Sequence, residues 1–310
     1  MKKRLISGTV YFLILLGFFA LKIFVPKCGS LLFDVLIYGF SLIGTFEMVR
    51  AMKGSLARTE KSIVFVFAII SVPACALAEY FYGYGVHVTA VCFFMLALAL
   101  LSLLVFKNEE TTPENIGAAF VSAVYPALLL CLLVLANHIG EVPVYRDKWI
   151  SSSDDLTAMR FNSDLAIAFI FAVSPFSDVM AFFTGLALKR KFPKKLAPVL
   201  SPNKTVVGFI GGLLGGVVCA VIIYFVYNGI WGSFPHMYIW LPLYILIGFV
   251  AAAANAFGDL VESAIKRKKG LKDMGDIMPG HGGVLDRIDG TLFATVVVYA
   301  AFALIQLLAF

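Results

Sequence analysis

Nine uninterrupted apolar runs constrain this chain more than any other feature: 5–25, 28–49, 62–82, 86–106, 116–136, 164–188, 206–228, 238–258 and 291–310. A helix that crosses the hydrocarbon core of a bilayer needs about 20 mostly apolar residues. Backbone in lipid must bond internally, and these runs do not alternate in polarity, so strands are a poor reading. The pattern predicts an all-α polytopic membrane protein with about nine transmembrane helices. Composition agrees: charged residues make up 14% of the chain, against about 25% in an average soluble domain. Met1-Lys2-Lys3-Arg4 resembles the start of a signal peptide. No small-residue cleavage site followed by a polar domain comes after it, so a retained span is expected.

Loop charge sets the expected orientation. Lys and Arg gather at the N-terminus, in 50–61, in 189–204 and in 266–287, which fall on one side of a nine-span layout. The positive-inside rule then places the N-terminus in the cytoplasm and the C-terminus outside. The acidic loop 107–115 goes against the trend, but acidic residues count little in that rule. The net charge of +6 therefore reflects topology and anionic lipid, with no nucleic acid as partner. The expected organisation is 1–136 as N-terminal membrane helices, 137–163 as an extracytoplasmic loop, and 164–310 as a membrane region that carries the dense polar motifs. The expected location is the cell membrane, multi-pass, with the polar motifs 189–205 and 259–290 facing the cytoplasm.

Cys28, Cys75, Cys92, Cys131 and Cys219 are scattered singly through apolar runs and read as small buried hydrophobes. Gly208/Gly212 and Gly211/Gly215 have the spacing that lets membrane helices approach closely. Such faces leave a homodimer open.

Chemistry is concentrated in Ser263 to Gly290, SAIKRKKGLKDMGDIMPGHGGVLDRIDG. With Asp259 and Glu262 just upstream it brings together six basic residues and six carboxylates. Carboxylates can hold a divalent metal, bases can hold phosphates, and glycines admit a ligand to the backbone. Asp259, Glu262 and Ser263 share one helix face, and Asp286 and Asp289 repeat the three-residue spacing. Two such pairs would form an all-oxygen site suited to Mg²⁺. The plain alternative is that they pair with neighbouring bases. Lys268 and Lys269 read as a headgroup anchor, whereas Lys266 and Arg267 lie nearer the carboxylates and suit phosphates. His281 has no partner His or Cys nearby, so zinc is not expected; a base, a turn anchor and a phosphate donor stay open.

A second cluster is FSDVMAFFTG with KRKFPKKLAPVLSPNKT. Asp178 is a carboxylate in an apolar run, and Pro175 before it predicts a break in the helix. Ser201-Pro202-Asn203-Lys204-Thr205 is expected to open the next span, as a helix start suited to an anion such as a triphosphate.

The segment KRKKGLKDMGDIMPGHGGVLDRID, preceded by Ser263, resembles the signature of the phosphatidate cytidylyltransferases, and 175–290 is similar to that family throughout. Two departures stand out. Val207-Gly208 replaces the family's common Glu-Gly, so no polar role carries over to Val207. The Gly-Arg…Gly-Lys pattern is also missing after Gly185. The resemblance implies transfer of the cytidylyl group from CTP to phosphatidate within membrane lipid. It implies Mg²⁺ on Asp259 and Asp286 with Asp289 in support, a second cation being left open. Lys266, Arg267 and Lys204 would hold phosphates. Asp178, Ser201, Asn203, Thr205, His281, Gly282, Gly283 and Arg287 would contact substrate.

Two other classes compete. A CTP-dependent lipid kinase would transfer the γ-phosphate. A cation-coupled transporter could use Asp34, Glu47, Glu79, Asp178 and Asp259 as an ion path.

Overall fold

The structure is a computed structural model that describes residues 2–25, 28–107, 109–141, 144, 161–231, 237–278 and 282–308. Most of the loop expected at 137–163, and His281, lie outside those residues. Eight helices among the described residues are long and apolar enough to cross a bilayer, and a shorter apolar stretch runs over Gly8–Phe24. The chain is thus an all-α, multi-pass membrane protein, as the apolar runs predict. It divides into two compact units: Met1–Asp154 with Lys269–Arg287, and Asp155–Lys268 with Ile288–Phe310.

The first unit carries α1 (Lys2–Phe24), α2 (Gly29–Ala51), α3 (Arg58–Tyr82) and α4 (Gly85–Phe106). It continues through α5 (Pro113–Ala123), a π-helical turn (Val124–Leu128) and α6 (Leu129–His138). Local chemistry sets these ends. Glu60 reaches back to accept the Ala57 N–H at 2.5 Å at the start of α3. Gly83, at φ 72°, closes α3 in a left-handed conformation that other residues resist. Thr112 accepts the Asn115 N–H ahead of Pro113, whose missing donor costs nothing at a helix start. The π turn falls at Pro126, where the ring removes one donor of the ladder.

Six polar groups meet inside this unit. His138 faces Asp34 through Nε2 at 2.6 Å and Glu141 through Nδ1 at 3.0 Å. The Lys22 ammonium donates to Asn137 O at 2.9 Å and to Glu141 Oε1 at 3.1 Å. Asn137 donates to Asp34 at 2.8 Å, and Ser30 donates to Glu141 at 2.5 Å. The network ties α1, α2 and α6 together. Burial works against the charge on Glu141, yet His138, Lys22 and Ser30 hold its carboxyl down to about 2.

The second unit carries α7 (Ser163–Leu188), β1 (Lys195–Ala197), β2 (Ser201–Thr205), α8 (Val206–Trp231), α9 (Met237–Lys268) and most of α10 (Leu285–Leu308). Its centre is aromatic. Phe161 lies 5.2 Å from Phe302 and 5.7 Å from Tyr244, ring centre to ring centre, and Phe169 lies 5.3 Å from Tyr244. Edge-on pairs of this kind contribute about 0.5–1.5 kcal/mol each beyond area burial. The glycine faces of α8 are consumed inside the unit. A Cβ at Gly212 or Gly215 would press on Ser177 or Met180 of α7, and one at Gly216 would overlap Ala252 and Gly248 of α9. Close helix packing is therefore their role, and they carry no argument for self-association. All five cysteines are free.

Two expectations change here. α7 runs unbroken through Pro175. One proline deletes a single ladder bond, and a long apolar helix in lipid tolerates that loss. Residues 201–205 do not open α8; they form the second strand of an antiparallel hairpin that pairs Lys195 with Thr205 and Ala197 with Ser201, with a register shift between the two pairs. Pro198 and Pro202 push Ala197 and Ser201 into extended backbone, and these are the two residues that pair across the hairpin. Thr205 still starts α8 by accepting the Gly208 N–H at 3.1 Å.

Candidate active site

In the second unit, α7, the hairpin, α8 and α9 enclose a cavity of about 650 Å³. Asp178, Asn203, Lys204, Thr205 and Asp259 line it, with Lys189 and Lys195 adding positive charge and Phe182, Leu186 and Phe209 an apolar wall. The Asp178 carboxylate accepts from Asn255 Nδ2 at 2.9 Å, one turn of α9 before Asp259. Asp259 takes the Lys204 ammonium on one oxygen and the Ser263 hydroxyl, at 3.4 Å, on the other. Glu262 is buried and pairs with Lys266. Asp289 lies within electrostatic reach of Asp259 and Lys266. Gly258 lets α10 come close, since a Cβ there would sit 2.7 Å from Asp289 O. Residues 255, 259, 262, 263 and 266 thus form one polar stripe along the C-terminal half of α9.

In the first unit, the turn ahead of α10 is organised by two carboxylates. Asp286 Oδ2 accepts the N–H groups of Met274 and Gly283, each at 2.8 Å. Glu47 of α2 accepts the Val284 N–H at 3.0 Å and the Leu285 N–H at 2.9 Å. Gly282 adopts φ 83°, and its carbonyl accepts the Met278 N–H at 2.9 Å. One turn beyond Glu47, Arg50 pairs with Asp276 at 2.8 Å, and its guanidinium holds that exposed carboxyl below the usual carboxylate range.

The structure therefore gathers Asp178, Asn203, Lys204, Thr205 and Asp259 around one cavity, with Lys266 on the polar stripe of α9 and Asp289 of α10 within electrostatic reach of it. Ser201 starts β2 and is not among the residues that line the cavity. Arg267 is exposed and donates to Leu200 O at 3.4 Å. Gly282, Gly283, Asp286 and Arg287 belong to the turn in the first unit. Among the described residues no group of three or more His, Cys, Asp or Glu side chains is arranged to hold a metal. The donors at hand are hard carboxylate oxygens. They fit Mg²⁺, which needs only one or two carboxylates and completes its shell with water and phosphate.

The sequence model for the Cytidylyltransferase family matches residues 2–305. The chain belongs to the cytidylyltransferase family. It is 30% identical over 305 residues to a phosphatidate cytidylyltransferase of Bacillus subtilis (strain 168), covering 98% of each chain. It is 28% identical over 272 residues to the Thermotoga maritima enzyme of that name, 86% of this chain and 89% of the relative. A Staphylococcus epidermidis relative of the same name is 40% identical over 127 residues, 41% of this chain and 45% of its own.

Two residues of this cytidylyltransferase-family chain went unread as site residues in the sequence. Asn255 fixes Asp178 from 77 positions away, and Glu47 grips Val284 from 237 positions away. Asn255 is a polar residue inside an apolar run, which was a usable signal. Glu47 was read only as a step in an ion path. Instead Asp34 is bound to His138 and Asn137, Glu47 to backbone, and Glu79 to the Gly85 N–H at 2.7 Å. These carboxylates join helices of the first unit, so the transporter reading loses its path.

Proposed function

We propose that this chain transfers the cytidylyl group of CTP to phosphatidate, giving CDP-diacylglycerol and pyrophosphate. The observation that carries the reading is the cavity of the second unit. Lysines and the Lys204–Asp259 pair stand beside an apolar wall of Phe182, Leu186 and Phe209, which suits a phosphate joined to lipid tails. Relatives that bear the activity in their name, and that align over nearly the whole chain, support it.

A phosphate oxygen of the lipid attacks the α-phosphorus of CTP; the bond to the β-phosphate oxygen breaks and pyrophosphate leaves. No covalent nucleophile on the protein is required. Catalysis comes from holding two anions in line and offsetting their charge. Lys204, Lys266 and Arg267 bind phosphate oxygens, with Ser201, Asn203 and Thr205 from the hairpin strand. Asp178, held by Asn255, shapes the cavity. His281, Gly282, Gly283 and Arg287 supply further substrate contacts. Asp259 and Asp286 are the proposed carboxylates for Mg²⁺, with Asp289 in support; when bound, the ion would neutralise phosphate charge. The basic segments 189–205 and 259–290 face the cytoplasm at the cell membrane, where CTP is available, and 164–310 is the catalytic region behind N-terminal helices 1–136.

Purified protein supplied with CTP, Mg²⁺ and phosphatidate tests the proposal. The lipid product should gain the mass of a cytidylyl group, and diacylglycerol should not replace phosphatidate as acceptor. A product carrying one extra phosphate would make the enzyme a lipid kinase.

A further inference from the structure

Glu47 lies in α2, far in sequence from every residue assigned to chemistry above. Its side chain is buried, with the residue 1% exposed. Its two oxygens accept from consecutive backbone N–H groups, Val284 to Oε1 and Leu285 to Oε2. Two glycines make room for it: a Cβ at Gly275 or Gly283 would overlap the carboxylate. From the other side Asp286 accepts the N–H of Gly283. Three successive backbone donors, 283 to 285, are thus shared between two carboxylates, one of which is Asp286. The same turn of α2 adds the Arg50–Asp276 pair, and Lys269 donates to Ser55 at 2.5 Å just beyond it. The C-terminal end of α2 and the turn that follows it therefore hold both ends of the loop 269–285.

A buried carboxylate is a costly way to fill space in a helix core, where an apolar side chain would pack more cheaply. What it uniquely provides is two acceptors at fixed separation, which set the backbone of 283–285 to one position. A glutamine cannot do this, because its NH₂ would face a backbone N–H. We propose that Glu47 is a positioning residue for the transfer reaction: by clamping Val284 and Leu285 it holds the Asp286 carboxylate and the Gly282–Gly283 backbone in their working geometry. The inference rests on the role given to Asp286 under the proposed function. It concerns a residue for which the signature segment gives no hint.

The test uses the full-length protein in detergent or nanodiscs. Glu47→Gln should lower kcat by about tenfold to a hundredfold, the scale of a misplaced group, with KM for CTP and phosphatidate changed by no more than about twofold. Amide hydrogen exchange should rise in the peptide 274–286 and stay unchanged in the rest of the first unit. Gly275→Ala places a Cβ against the same carboxylate and should reproduce both effects. Glu47→Gln combined with Asp286→Asn should be no slower than Asp286→Asn alone. Wild-type kcat in Glu47→Gln, or exchange that rises throughout the first unit, would overturn the proposal. Additive losses in the double variant would overturn it as well. Near-normal turnover in Asp286→Asn alone would instead remove the role of Asp286, a distinct failure.

Discussion

Lys204, on strand β2 of the hairpin, pairs with Asp259 on α9 with the two side chains 29% and 33% exposed. A pair this accessible adds only about 0–1 kcal/mol to stability. Its position on a cavity with further lysines gives it a chemical reason instead. Lys204→Met should leave thermal unfolding within a few degrees of wild type. It should lower kcat/KM for CTP by about tenfold to a hundredfold, since a charged hydrogen bond contributes about 1.5–3 kcal/mol and each 1.4 kcal/mol is a factor of ten. Steady-state kinetics beside a melting curve checks this, and an unstable but fully active variant would reverse the assignment.

Asp286 uses one oxygen to accept two backbone N–H groups. Asparagine can keep that acceptor while losing the charge, so Asp286→Asn separates shape from electrostatics. Turnover is expected to fall by about 10²–10³-fold, the scale of losing one preorganised charge in a transition state, with normal insertion and purification. Asp259→Asn should behave alike, and the double variant should be little worse than either, because groups that act as a unit are not additive. Activity near wild type at limiting Mg²⁺ would take either residue out of the site.

Glu141 offers a pH test of the first unit. Its carboxyl is held at about 2 against an ordinary 4.5, so the charged form is favoured by folding. The stabilisation is complete above about pH 4.5 and is lost as pH falls through about 2. With allowance for screening of a side chain a third exposed, it amounts to about 1–2 kcal/mol. Glu141→Gln should melt lower than wild type at pH 7, and the gap should shrink to under half by about pH 3. Melting curves in detergent at both values measure it. An equal gap at both would mean that the Glu141 charge has no part in the network.

The fold was legible where a single physical quantity decides it. Length and continuity of apolar runs specify membrane helices, and eight of the nine expected runs form helices long enough to span, while α1 holds the shorter apolar stretch of the first. The hairpin was not legible: strands of three and five residues are too short to show alternation. Only the prolines at 198 and 202 hinted at extended backbone. Pro175 misled because its effect on a helix depends on what surrounds it. Within the site, residue types near each other in sequence, such as Asp259 and Ser263, could be read as one helix face. Partners such as Glu47 with Leu285, or Asn255 with Asp178, depend on tertiary packing that no local pattern encodes.

Topology connects these residues to their substrate. Single cysteines at Lys194 and Lys269 in a cysteine-free background should resist a membrane-impermeant thiol reagent in intact cells and label after permeabilisation. A cysteine at Ser152 should label from outside. Outside labelling of 194 or 269 would separate the basic segments from CTP. A split between them would mean an odd number of crossings between the two positions, where α8 and α9 provide two.

The most direct measurement follows the phosphorus atoms of CTP. Purified protein is given phosphatidate, Mg²⁺ and CTP labelled at either the α- or the γ-phosphate. The account predicts α label in the lipid fraction and γ label released as pyrophosphate, in equal amounts. Label from the γ position in the lipid, with CDP as the soluble product, would contradict it.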